Sequence, residues 1–209
     1  MKLNLESIIS TLKDVRDYVV PIKKIGSKFG SIKSIQELQN FIQERSAHVT
    51  QTTLYGYIKT RIGSRYAMMF EDEVFSNSIN IAKWNIYMAA LSDCTLYTFS
   101  FLIDKKNLKD FNAEKVFFSI VDGEKKNGLD VKLLEKTRIE FQQRLEEINW
   151  KAYHLNNPFQ KSSLALYTWS PIAEDLKKLD KEIVLNSIKL KWNLVEEEFK
   201  DLTKSLNFD

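Results

Sequence analysis

The segment HVTQTTLYGYIKTRIGSRYAMMF, residues 48–70, combines side chains that could bind an anion or a nucleic acid. It carries three tyrosines, two arginines, one lysine and one histidine, and it contains no acidic residue. Cations bind phosphates and aromatic rings stack on bases, so this mixture is typical of single-stranded nucleic-acid binding. Helical spacing, however, places Tyr55 on one side of the helix and Lys59 and Arg61 elsewhere. We therefore expect the rings and the charges to diverge.

Asp93 is the second candidate for chemistry, because it is the one charged residue in the most apolar part of the chain, residues 86–103. An ionised carboxylate in such a helix needs a partner. We predict that it pairs across a bundle with Arg61, Arg65 or His48. The result is either an ion pair that fixes helix register or a pocket that binds a small anion or a partner. The candidate pocket residues are His48, Tyr55, Tyr57, Arg61, Arg65 and Asp93.

Other catalytic and metal-binding patterns are absent from the sequence. The chain has two histidines, and neither lies in the paired Glu-x-x-His spacing of di-iron proteins. It has no glycine-rich phosphate-binding motif and no G-x-S-x-G nucleophile elbow. Cys94, the single cysteine, lies in the apolar helix, where burial makes a thiol inert. We therefore predict no metal, no cofactor and no catalytic residue. A hydrolase would have to use a serine or tyrosine near His48 or His154.

The elements that position these residues are predicted to be helices, because 209 residues include only 6 glycines and 3 prolines. Apolar residues at three- and four-residue steps predict an amphipathic helix over 5–20. Ser34 and Glu37 form a capping box that begins a long helix ending near Gly63. Residues 86–103 read as the central helix of a bundle, with a membrane span as the alternative. The domains are an arm and linker, 1–33, and one helical-bundle domain, 34–209.

The C-terminal part of the chain carries two apolar seams with helical spacing. One runs over 134–155, and the second continues from Ile188 to Leu206. Together they predict a long antiparallel helical hairpin at the end of an all-α bundle. The second seam is the candidate interface for a partner or a homodimer, unless residues 134–155 cover it. Its residues are Ile188, Trp192, Val195, Phe199 and Leu202.

A basic segment before residue 34 suggests a different kind of surface. The net charge is only +3, so binding to nucleic acid or an anionic membrane must depend on local clustering. The candidate contacts are Lys23, Lys24, Lys28 and Lys33, interleaved with apolar residues. Lys59, Arg61 and Arg65 would add to them. The lone cysteine fits a reducing compartment, so we expect a cytoplasmic protein, with a location at the membrane periphery as the alternative.

The run from Gln51 to Asp93, QTTLYGYIKTRIGSRYAMMFEDEVFSNSINIAKWNIYMAALSD, resembles a family of small, uncharacterised bacterial helical proteins, some of which carry an esterase label. The resemblance implies a cytoplasmic bacterial protein, and it brings no catalytic residues with it. From the residues themselves, the leading hypothesis is a non-enzymatic helical interaction or assembly protein. The alternatives are an RNA- or anionic-membrane-binding module and a hydrolase with an unrecognised site.

Overall fold

The computed structural model describes residues 30–206, apart from the side chains of Ser64 and Ala67. The helix predicted over 5–20 and the candidate contacts Lys23, Lys24 and Lys28 lie outside the described residues. The helices are α1 (Ile35–Ile62), α2 (Tyr66–Met69), α3 (Glu73–Lys106), α4 (Ala113–Glu124), α5 (Val131–Glu147), α6 (Gln160–Trp169) and α7 (Glu174–Leu202). Short 3-10 turns lie at Gly63–Arg65, Lys125–Asn127 and Tyr153–Leu155. No strand occurs in 30–206, and the predicted all-α bundle is confirmed.

The ends of α1 follow the local signals in the sequence. Ser34 Oγ accepts a hydrogen bond from the Glu37 backbone N–H at 3.2 Å, and Glu37 accepts one from the Lys33 N–H at 2.7 Å. The first bond satisfies a backbone donor that the first helical turn leaves without a partner, and the second ties the residue before the N-cap to that turn. At the other end Gly63 has a φ of 63°, a conformation that glycine adopts without a side-chain clash. The predicted beginning and end of α1 are therefore confirmed.

Helix α3 is the centre of the bundle. Every residue from Ile86 to Leu102 is buried, and the helix contacts α1, α4, α5 and α6. It is also the one helix in the described part of the chain that is long and apolar enough to cross a membrane. Its most apolar window has a mean hydropathy of 1.4, and 94% of that window is buried inside the bundle. The core of a bundle needs a helix that is apolar on all sides, so α3 occupies the place that its composition suits.

The C-terminal hairpin is formed by α6 and α7. The Trp192 indole N–H donates to Ser162 Oγ at 3.0 Å, and Lys177 Nζ donates to the Thr168 carbonyl at 3.1 Å, which shows an antiparallel pair. The sequence pattern assigned the first arm to residues 134–155, and this assignment is wrong. Helix α5 packs on α4 instead, with the rings of Phe117 and Phe141 stacked at 3.8 Å. Apolar spacing shows that a helix has a seam, but it does not identify the helix that fills it.

The seam proposed as an interface is part of the core. Ile188, Trp192, Val195 and Phe199 are each at most 4% exposed, and Leu202 is half-buried. The Phe199 ring packs against Phe41 at 5.1 Å. The candidate interface of the sequence analysis is therefore corrected: these residues pack inside the chain, against α1, α3 and α6, and residues 134–155 are not what covers them.

Candidate functional site: a cleft beside a buried ion pair

The residues predicted to form one polar pocket are divided among several places. Asp93 does not pair with Arg61, Arg65 or His48, as the sequence analysis predicted. Its partner is Arg144 of α5, at 2.7 Å. The prediction was wrong because helical spacing shows which face a residue occupies, whereas pairing between helices depends on how the chain folds back.

Four other members of the predicted pocket lie away from Asp93. Arg61 and Tyr57 bind Asp180 of α7. Tyr55 packs its ring against Phe70, with the ring centres 6.4 Å apart. His48 is half-buried, and burial lowers its pKa, assisted by the charges of Arg45 and Lys191.

Arg65, the remaining member, is exposed in the 3-10 turn that follows α1. The predicted pocket is therefore not a single site.

Asp93 and Arg144 lie at the centre of a buried hydrogen-bond network. Arg144 also donates to Ser92 Oγ at 2.5 Å and to the Tyr153 hydroxyl at 2.6 Å. That hydroxyl in turn donates to the Pro158 carbonyl at 2.6 Å. Burial raises the pKa of Asp93, opposed first by the charge of Arg144. The network thus ties α3 and α5 to the segment that precedes α6.

Asp93 also caps the N-terminus of α6. Its Oδ2 accepts a hydrogen bond from the backbone N–H of Ser162 at 2.7 Å. The residue in the N-cap position, Phe159, has no side chain that can accept such a bond. A carboxylate is favourable there, because the first N–H groups of a helix lack partners and carry the positive end of its dipole. The lone acid of α3 therefore fixes where α6 begins.

A second buried acid, Asp180, joins α7 to α1. Its carboxylate accepts a hydrogen bond from the Tyr57 hydroxyl at 2.8 Å and forms an ion pair with Arg61. Burial raises the pKa of Tyr57, although Arg61 acts in the opposite direction. These three residues line a shallow groove of about 330 Å³ between the two helices. Asp180 lies in a strongly charged stretch, and no sequence signal distinguishes it from its neighbours.

A cleft with a volume of about 790 Å³ lies between the C-terminal half of α3, the segment before α6, and α7. Its floor is aromatic: the rings of Phe159 and Trp192 stack at 4.1 Å, and Tyr97 lies 5.1 Å from Phe159. Lys105, Lys189, Lys200 and Glu196 lie among its polar lining residues. The network around Asp93 supports this floor, because Trp192 donates to Ser162 and Asp93 accepts from the backbone of the same residue.

Two buried polar atoms of residues that line the cleft lack a hydrogen-bond partner within 30–206, the Tyr97 hydroxyl and His154 Nε2. Burial raises the pKa of Tyr97, and the charge of Glu196 acts in the same direction. Burial lowers the pKa of His154, and the nearby charge of Asp104 opposes that effect. A buried polar atom without a partner costs roughly 1–3 kcal/mol.

Ser100, His154 and Asp104 resemble a catalytic triad in composition but not in hydrogen bonding. His154 Nδ1 lies 3.0 Å from Ser100 Oγ, and Nε2 lies 3.6 Å from Asp104. Ser100, however, donates its hydrogen to the Trp150 carbonyl at 2.6 Å, so we infer that Nδ1 carries a proton and donates to the serine. A histidine in that tautomer cannot accept the serine proton through Nδ1.

Neither Ser100 nor Cys94 is available as a nucleophile in this conformation. Both residues are completely buried. Burial raises the pKa of Cys94 to about 12, so its thiolate is scarce at neutral pH. Across 30–206, no three His, Cys, Asp or Glu side chains lie close enough together to hold a metal ion.

Comparison with known proteins gives no relative of this chain. No family model, no curated protein and no solved structure matches it.

Proposed function

We propose that this chain is a non-enzymatic helical interaction protein that self-associates through the outer face of α7. The observation that carries the proposal is a row of large apolar side chains on that face, each between 40% and 77% exposed. We call this row the outer stripe. It consists of Leu176, Leu179, Ile183, Leu190 and Leu194.

The outer stripe has the geometry of a helix-packing seam. Its members follow one another at steps of three, four, seven and four residues. At 3.6 residues per turn they lie within an arc of about 60° and extend over about 27 Å of helix. The buried seam occupies a different face of the same helix, so α7 is apolar on two sides. A helix with two apolar faces needs a cover for each of them.

A second copy of the chain is the occupant that fits the stripe best. The stripe is nearly symmetric about residue 185. In an antiparallel pair of α7 helices, Leu176 of one copy faces Leu194 of the other, and Leu179 faces Leu190. Such a two-fold arrangement uses the same surface on both copies, as most homodimers do.

The alternatives have less support in the described residues. Of the α1 cations proposed to contact RNA or a membrane, Arg61 is neutralised by Asp180. A hydrolase would need an accessible nucleophile, and Ser100 beside His154 is buried.

Sedimentation equilibrium of the full chain from micromolar to millimolar protein tests the proposal. The wild type should form a dimer, and the double variant Leu179→Glu/Ile183→Glu should remain a monomer with an unchanged circular dichroism spectrum. Ile139→Glu is the matched control, because Ile139 is 56% exposed on α5 and lies outside the stripe. A wild type that stays monomeric at every concentration would refute self-association.

If the wild type is a monomer, a segment of the same chain is the other candidate to cover the outer stripe. Residues 5, 8, 12, 15 and 19 are apolar at alternating three- and four-residue steps, which is helical spacing like that of the outer stripe over a shorter length. If these residues cover the stripe in the same chain, Ile8→Glu/Leu12→Glu should convert the monomer into a dimer. If the protein is a monomer both before and after that change, then neither a second copy of the chain nor residues 5–19 cover the outer stripe.

A further inference from the structure

We propose that the cleft between α3, α6 and α7 binds a small amphipathic anion, an apolar body carrying a carboxylate or phosphate group. This site is separate from the outer stripe, because the cleft and the stripe lie on different faces of α7. The inference does not depend on self-association. Either proposal can fail alone, since one is tested by ligand binding and the other by molecular mass.

The apolar part of the ligand is argued from the floor and wall of the cleft. Phe101, Phe159 and Trp192 form the floor, and Leu155, Leu164 and Leu185 lie among the walls. A volume of about 790 Å³ lies within the usual range of small-molecule sites. Leu155 is 67% exposed and Leu164 is 46% exposed, so an apolar body would remove both from water.

The anionic part is argued from the charges of the lining residues. Three lysines and one glutamate line the cleft. Lys200 pairs with Glu196 at 3.3 Å, and Lys105 pairs with Asp104, just outside the lining, at 2.8 Å. Lys189 has no ion-pair partner in the part of the chain that is described. With these pairs counted, one positive charge of the lining remains uncompensated, and it favours an anionic head group.

The Tyr97 hydroxyl supplies the specific contact. Tyr97 is completely buried, it lines the cleft, and its hydroxyl has no hydrogen-bond partner within 30–206. The hydroxyl is enclosed by protein atoms, so a ligand oxygen reaches it only when side chains that line the cleft shift; that oxygen would then accept a hydrogen bond and remove the cost of the unsatisfied donor.

Isothermal titration with decanoate, decyl phosphate and decanol tests the inference on the full chain. Decanoate, decyl phosphate or both should bind more tightly than decanol, which has the same chain length and no charge. Whichever anion binds more tightly identifies the head group. Tyr97→Phe should weaken binding of that anion about tenfold, because one hydrogen bond to a charged group is lost. Lys189→Ala should weaken anion binding and leave decanol binding unchanged.

Two variants provide matched controls. Tyr55→Phe removes another buried hydroxyl without a partner in the described residues, on a ring that packs against Phe70 and does not line the cleft. Ile183→Glu disrupts the outer stripe. Both should bind the anion like the wild type. Equal affinity for decanol and the anions, undiminished binding to Tyr97→Phe, or no binding at millimolar ligand would each overturn the inference. Tyr97→Phe should fold normally, since it removes only an unsatisfied oxygen.

Discussion

Asp93 and Asp180 are both buried acids that pair with an arginine, but their surroundings differ. Asp93 is completely buried in the central helix, and the side chain of its partner Arg144 is 21% exposed. The Asp180 side chain is 4% exposed, beside an open groove, and that of its partner Arg61 is 32% exposed. Asp93 also holds the first turn of α6, whereas the Asp180 contacts described above join only α7 and α1.

The comparison indicates that burial of the acid alone does not determine how much its ion pair contributes to stability. The cost of breaking an ion pair depends on whether water can solvate the charge that is left behind. Water can reach Arg61 through the groove, whereas the Arg144 side chain is less exposed and is held by Asp93, Ser92 and Tyr153. We therefore expect unequal effects when each acid is neutralised.

The largest effect should come from Asp93→Asn. The variant leaves Arg144 without its counter-charge and weakens the cap of α6, so the free energy of unfolding should fall by about 3–5 kcal/mol. Urea unfolding followed by circular dichroism measures the change. A loss below about 1 kcal/mol would show that Arg144 is solvated, and it would remove the contrast with Asp180.

Cys94 offers a second measure of the same difference, because it is adjacent to Asp93 and completely buried. Labelling by a thiol reagent requires the protein to open, so its rate follows the population of open states. Asp93→Asn should accelerate labelling by about a hundredfold or more, as expected for a loss of at least 3 kcal/mol. Asp180→Asn should raise the rate much less. Equal rates in the two variants would indicate that both acids stabilise one cooperative unit equally.

Asp180→Asn should lower the free energy of unfolding by only about 1–2 kcal/mol, because Arg61 stays partly solvated after the change. Tyr57→Phe removes the other contact of the same carboxylate and should cost less than Asp180→Asn. Urea unfolding of both variants beside Asp93→Asn gives the ranking. A loss for Asp180→Asn that equals the loss for Asp93→Asn would break the comparison.

The smallest effect should appear on acidification. Burial lowers the pKa of His154 below its ordinary value of 6.5, so the folded state binds fewer protons than the unfolded state. Its contribution to stability is complete above about pH 6.5 and is lost as the pH falls below that value. Asp93 has the opposite effect on the pH dependence of stability. Its pKa is raised in the folded state, so acidification favours the folded state at this residue.

The measurement is the free energy of unfolding of wild type and His154→Asn at pH 7.5 and pH 5.5, from urea titrations. The wild type should lose more stability between the two values than the variant. His48, whose pKa is also lowered by burial, remains in both proteins and cancels in the difference. Identical losses would show that His154 is not held neutral by the fold.

Local signals predicted the helices well. The capping box at Ser34, the end at Gly63 and the apolar helix over 86–103 depend on residues close in sequence, and each was confirmed. The buried face of α7 was also visible as a seam from Ile188 onward. Its neighbours were not predictable, because a seam carries no information about the helix that covers it.

The candidate sites depended on distant contacts and were mostly missed. Asp93 was recognised as an acid needing a partner, but Arg144 is 51 residues away and nothing in its neighbourhood marks it. Trp192 was assigned to the candidate interface and nothing in the sequence singled out Tyr97, so only their arrangement around the cleft suggests a shared role. The outer stripe was overlooked because Lys, Glu and Asp surround its members and conceal the spacing in the linear sequence.

The two-sided character of α7 also matters during synthesis. Helix α7 is the last helix of the described chain to leave the ribosome. Until it does, the rings of Phe41, Tyr97 and Phe159 lack the α7 side chains that cover them in the folded protein. Exposed aromatic surface of this kind attracts chaperones and promotes aggregation of nascent chains. Once α7 arrives, its inner face closes the core while its outer face remains apolar. Translation that stops before residue 174 should therefore yield an insoluble product.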